Sequence, residues 1–164
     1  MWSPEGTSRR GAVLGLLVVA GCGFAPAYGP GGAGTALRGR VGVLAPDTPD
    51  GFLLRASLED RLGLPEGAAA TLTVGIEVEA VPAAITPGGA ITRYSLEGRA
   101  PWRLEGPGGE VLAEGLADNF TGYSATGSTV ATRAAEDDAR ERLMALLADE
   151  IVTRLLLLPA AALP

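Results

Sequence analysis

The chain has 164 residues with a formal net charge of −6, a single cysteine, no histidine, and 13 basic residues that are all arginine. An acidic balance without lysine clusters argues against nonspecific nucleic-acid binding, which depends on neutralising phosphates. Without histidine, neither a Ser-His-Asp nor a Cys-His site can be built, and imidazole metal ligands are ruled out.

The first predicted element is an export signal. Arg9 and Arg10 precede an apolar core from Ala12 to Ala20, which runs into Cys22 through Val19-Ala20-Gly21. Small residues ahead of a lone cysteine are the pattern of a bacterial lipobox, with cleavage before Cys22 and lipidation of its thiol. The run from Gly11 to Cys22 is about half of the roughly 20 apolar residues that cross a bilayer, so it is not a membrane span. Each buried methylene contributes about 0.8 kcal/mol, so two or more acyl chains hold a protein at a membrane where one does not. Residues 1–21 are therefore read as a signal peptide. The residue after Cys22 is Gly23 and not the aspartate of inner-membrane retention, which favours the periplasmic face of the outer membrane. No cofactor is expected beyond the covalent lipid.

Residues 22–39 carry GPGGAG at 29–34 and read as a flexible tether that reaches at most roughly 3.5 Å per residue. The Gly-rich run lacks the Lys-Ser/Thr ending of a phosphate loop. Residues 40–164 are expected to form one domain.

Within that domain, Val41–Ala45 predicts a strand stopped by Pro46. Leu54, Leu58 and Leu62 fall on one helical face, closed by Gly63. Residues 71–81 alternate, with Leu72, Val74, Ile76, Val78 and Ala80 opposite Thr71, Thr73, Glu77 and Glu79. From Ile91 to Leu104 the apolar side is Tyr94, Leu96, Ala100, Trp102 and Leu104, and the polar side Arg93, Glu97, Arg99 and Arg103. Gly106-Pro107-Gly108-Gly109 predicts a hairpin into a strand over 110–123. There the alternation falters near Gly115, because Leu112, Leu116 and Phe120 share a face with Glu114 and Asp118, which suggests a bulge or a twisted edge.

A helix is expected from about Val130 to Pro159, with a stripe of Ala135, Ala139, Leu143, Leu146, Leu147, Ile151 and Leu155. Its acids Glu136, Asp137, Asp138 and Glu141 read as partners of the helix dipole in preference to metal ligands. The predicted fold is an α+β two-layer sandwich, a mostly antiparallel four-stranded sheet with two helices on one face and the other face open.

Some residues admit a sharper and a plainer reading. Arg93, Arg99 and Arg103 share a strand face, the first two about 20 Å apart. They suit an anion track for phosphate, or a solvated face that discourages edge aggregation. Trp102 reads as core before ligand platform. Asn119-Phe120-Thr121 matches a glycosylation sequon by chance in a bacterial lipoprotein, and Glu77 with Glu79 does not make a glycosidase pair.

Cys22-Gly-Phe-Ala-Pro-Ala-Tyr-Gly29 resembles the segment after the lipidated cysteine in the LPS-assembly lipoprotein LptE family. The likeness continues through TRYSLEGRAPWRLEGPGGEVLAEG (92–115) and EDDARERLMALLADEIVTRLL (136–156). It implies an outer-membrane lipoprotein that plugs and helps assemble the LptD β-barrel, with lipopolysaccharide as a further contact. Phe24, Pro26 and Tyr28 are the matching motif positions, leading from the lipid into the plug. The alternative is an auxiliary lipoprotein subunit of another lipid-transport or envelope complex. A lipid-anchored hydrolase is disfavoured by the missing histidine and free thiol.

Overall fold

Pro101 decides how the sheet is divided. The computed structural model describes Gly29, residues 32–159 and Leu163; the expected signal peptide, Cys22 and the motif positions Phe24, Pro26 and Tyr28 lie outside the described residues. The elements in order are α1 (Ala33–Leu37), β1 (Val41–Leu44), α2 (Pro49–Leu62), β2 (Ala70–Val74), β3 (Glu77–Ile85), β4 (Ile91–Glu105), β5 (Val111–Ser124) and α3 (Thr129–Leu156). The long strand β4 pairs with β5 on one side, and with β2 and β3 end to end on the other. Val74 faces Trp102 and Glu77 faces Arg99, so the register runs unbroken from β2 into β3. Between them the Gly75 amide donates to Pro101 O at 2.8 Å. Proline has no N–H to return that bond, so the ladder lapses for two residues. The single strand expected over 71–81 is thus two strands on one line, the second running on to Ile85, and where four strands were expected the described residues form a sheet of five.

β1 adds to the outer edge of β2 in parallel, Val41 opposite Ala70, while all other pairings are antiparallel. The helices cover one face. α2 begins at a Thr48 N-cap whose Oγ1 accepts from the Gly51 amide at 3.1 Å, with Pro49 in its first turn. It ends at Gly63, whose φ of 80° lies in the region that favours glycine. Leu54, Leu58 and Leu62 are buried as their spacing requires.

α3 buries Ala139, Leu143, Met144, Leu147, Ala148, Ile151, Val152 and Leu155. This stripe is wider than expected and excludes Leu146, which is exposed, because α3 packs on both the sheet and α2. Two ion pairs bind the helices side by side. Arg140 bridges Asp50 at 2.9 Å and Glu136 at 3.1 Å, and Arg61 meets Asp149.

Two further expectations change. α3 starts at Thr129 behind a Ser128 cap and has no acid in its first turn. The acids expected at the helix start therefore sit further along, where Asp137, Glu136 and Asp138 pair with Arg133, Arg140 and Arg142 one turn away. Within the stretch read as tether, Ala33–Leu37 is a short third helix that places Leu37 in the core.

Candidate functional site

Because side chains alternate across a strand, the odd-numbered residues of β4 stand on the face that no helix covers. Arg93, Glu97, Arg99 and Arg103 are exposed there, as their alternation predicts, while Leu96, Ala100, Trp102 and Leu104 are buried beneath the helices. Trp102 is core, its indole lying across Gly115, where a β-carbon would approach its Cζ2 to 2.8 Å. Its Nε1 has no hydrogen-bond partner among the described residues.

The structure brings the three arginines onto one face but also brings carboxylates to two of them. Arg103 stands opposite Glu114 and bridges it at 3.1 Å. Arg99 lies in register with Asp118 on one side and Glu77 on the other. Arg93 faces Ser124 and Ala84, and no ion pair engages it among the described residues. Glu79 and Glu97 stand directly opposite each other, a like-charge pair. Counting Glu77, Glu79, Glu97, Glu105, Glu114 and Asp118, six carboxylates meet three arginines on this face. A face of that balance does not attract phosphate as a whole.

Leu116 and Phe120 also stand here, 44% and 70% exposed. Their company with Glu114 and Asp118 suggested a bulge near Gly115. The bulge instead falls at Leu112, where the register shifts between Leu104–Ala113 and Glu105–Val111, and from there on β5 alternates regularly. A broad hollow of about 770 Å³ lies between Thr73, Gly75, Pro101, Arg103, Glu114 and Leu116. It is shallow and open, with apolar Pro101 and Leu116 beside charged Arg103 and Glu114, and so suited to covering by a large surface. What the sequence obscured is the mixed character of this face, because apolar residues beside acids read as a slipped register.

Along the outer edge of β5, which no strand pairs among the described residues, side chains take up three backbone groups. The Asp118 amide donates to Glu150 Oε2 at 3.2 Å, the Phe120 amide donates to Asn119 Oδ1 at 3.0 Å, and Arg142 donates to Gly122 O at 3.4 Å. Asn119 thus has a structural task, whatever its sequon.

Solved structures share this architecture. A lipoprotein of Caulobacter crescentus superposes with a TM-score of 0.67 at 24% identity, over 80% of this chain and 98% of that one. Rare lipoprotein B of Shewanella oneidensis gives 0.54 at 16% identity over 70% and 90%. Lipoprotein B of Nitrosomonas europaea gives 0.51 at 17% over 71% and 79%. No curated protein sequence matches the chain. The family model described as LptE, lipopolysaccharide-assembly, matches residues 40–155, which takes in every strand and both long helices but for the last residue of α3. The chain belongs to the LptE family of lipopolysaccharide-assembly proteins.

Proposed function

We propose that the protein is anchored through a lipid on Cys22 at the periplasmic face of the outer membrane, and that it occupies and helps assemble an LptD-type β-barrel. The observation that carries this reading is the uncovered sheet face. Over β2, β4 and β5 it is rigid, because it is backed by a continuous core, and it is polar, as a water-filled barrel interior requires of what fills it. Leu116, Phe120 and Pro101 give it exposed apolar footholds among charged side chains. The work is done by occupation of a partner, with no chemical step.

The test is detergent extraction of the tagged full chain, with photocrosslinkers placed singly along residues 91–104. A near-stoichiometric large β-barrel is expected, crosslinked from positions 97, 99 and 103 and not from 96, 98 and 100. Recovery of inner-membrane transporter components in its place would favour an auxiliary subunit of another envelope complex. Contact with lipopolysaccharide phosphate is assigned to Arg93, which among the described residues has no carboxylate opposite it. Arg93→Gln is expected to weaken capture of lipopolysaccharide by the purified protein severalfold, and Arg103→Gln to leave it unchanged.

A further inference from the structure

The two long edges of the sheet are treated differently. Hydrogen-bond parity shows which backbone groups point where. The Gly75 amide faces Pro101 and the Ala70 amide faces Arg40 O, so along β2 and β3 the odd residues bond inward to β4 and the even residues point outward. β1 takes up the outward groups beside Ala70 to Val74 and then leaves the edge at Leu44, ahead of Pro46. Beyond that point the outward N–H and C=O groups of Val78 and Ala80 meet no partner among the described residues. Pro82, also outward-facing, offers only its carbonyl, and the register shifts after it. The bare edge is therefore short and sharply bounded, while on the opposite edge Glu150, Asn119 and Arg142 take up the Asp118 and Phe120 amides and the Gly122 carbonyl of β5.

We infer that the outer edge of β3 over Glu77–Val81 is a docking site for one extended segment of a partner protein, which adds a strand in line with β1 and carries basic side chains at alternate positions. Backbone pairing supplies the attachment, as it does in strand-addition complexes generally. Charge supplies the selectivity. Glu77 and Glu79 project on one side of this edge, and Glu79 is already forced against Glu97 across the pair with β4. Around them lies a hollow of about 180 Å³, lined also by Arg99. A cationic side chain from an added strand relieves that repulsion, and its alternate apolar residues lie over Val78 and Ala80. A second copy of this chain is a poor occupant, because antiparallel pairing of two β3 edges sets glutamates beside glutamates.

The test uses the full chain in detergent and a synthetic peptide of alternating arginine and valine, six residues long. Binding is followed by fluorescence anisotropy and by hydrogen exchange at individual amides. The free protein is expected to exchange the Val78 and Ala80 amides rapidly, and the peptide to slow both at least tenfold. Methylating the peptide's edge-facing amides, or replacing Ala80→Pro, is expected to weaken binding at least tenfold; proline is tolerable there because Pro82 already holds an equivalent outward position and the inward ladder uses the odd residues. Glu79→Gln is expected to weaken binding severalfold. Equal binding of the methylated peptide would reduce the effect to charge adsorption and overturn the proposal. So would no slowing at Val78 and Ala80, or amides already slow in the free protein, which would mean that the chain or a second copy covers its own edge.

Discussion

Tyr123 stacks on Tyr94 with ring centroids 5.4 Å apart and planes 17° from parallel, beneath the start of α3. Burial raises the Tyr123 phenol above its ordinary value, and the negative charge of Glu136 adds to that shift. The folded state therefore holds this proton more tightly than the unfolded chain does. Its contribution to stability is fully present below the unfolded value of about 10, and is lost as pH rises from there through the raised folded value. Denaturant titrations between pH 8 and 11.5 are expected to show unfolding free energy falling above about pH 10, and Tyr123→Phe to make that fall shallower. An identical alkaline slope in the variant would mean that the phenol stays solvated. Such a shift depends on which helix closes over the strand, so nothing in the local sequence announces it. The arginines are a similar case. Their shared face follows from alternation alone, but the carboxylates beside Arg103 and Arg99 come from β5 and β3, and are visible only once the register is known.

At the scale of elements, the alternation of 71–81 and 91–104 and the leucine spacing of α2 were legible because each reflects a single buried side. The break at Gly75 was not, since it arises from Pro101 in the neighbouring strand. Nor was the breadth of the α3 stripe, since Met144, Ala148 and Val152 are buried by the second surface the helix meets. α1 was hidden by its glycine-rich surroundings, and only Leu37 hints at burial. α3 packs tightly on the sheet at Gly98, where a β-carbon would come within 2.9 Å of Leu143 Cδ2 and 3.1 Å of Leu147 Cδ1. Gly98 thus sets the spacing of the two layers. Leu143→Ala is expected to cost about 2–5 kcal/mol as a cavity, and Gly98→Ala about 1–3 kcal/mol as overpacking. Because the added methyl fills part of the vacated space, the double variant is expected to be more stable than the sum of the two losses by at least about 0.5 kcal/mol. Strict additivity in urea unfolding would show that the layers separate instead of interlocking.

Across the whole molecule the two halves of the sheet are unequally supported. α3 packs along β5 and β4, and α2 packs on β1 and α3, whereas β3 is held by β4 and, among the described residues, no helix packs extensively across it. Its side chains are correspondingly exposed, with only Val78 and Val81 partly covered. A strand held mainly by one hydrogen-bonded neighbour opens with a smaller free energy than strands sealed under a core, since opening it exposes little apolar surface. Native-state hydrogen exchange is therefore expected to show the inward amides Glu77, Glu79 and Val81 exchanging through a local opening, at least 100-fold faster than the β4-facing amides of β5 at Ala117 and Asn119. Adding low denaturant is expected to speed the β5 amides while barely changing those of β3, because global unfolding exposes much more surface than local opening does. A single common exchange free energy across both strands would mean that the sheet unfolds as one unit. In that case Pro101, which interrupts the ladder where β2 passes into β3, would not divide the molecule into a fixed half and a looser half. The predicted contrast makes the most easily remodelled strand the one whose own outer edge β1 leaves bare among the described residues.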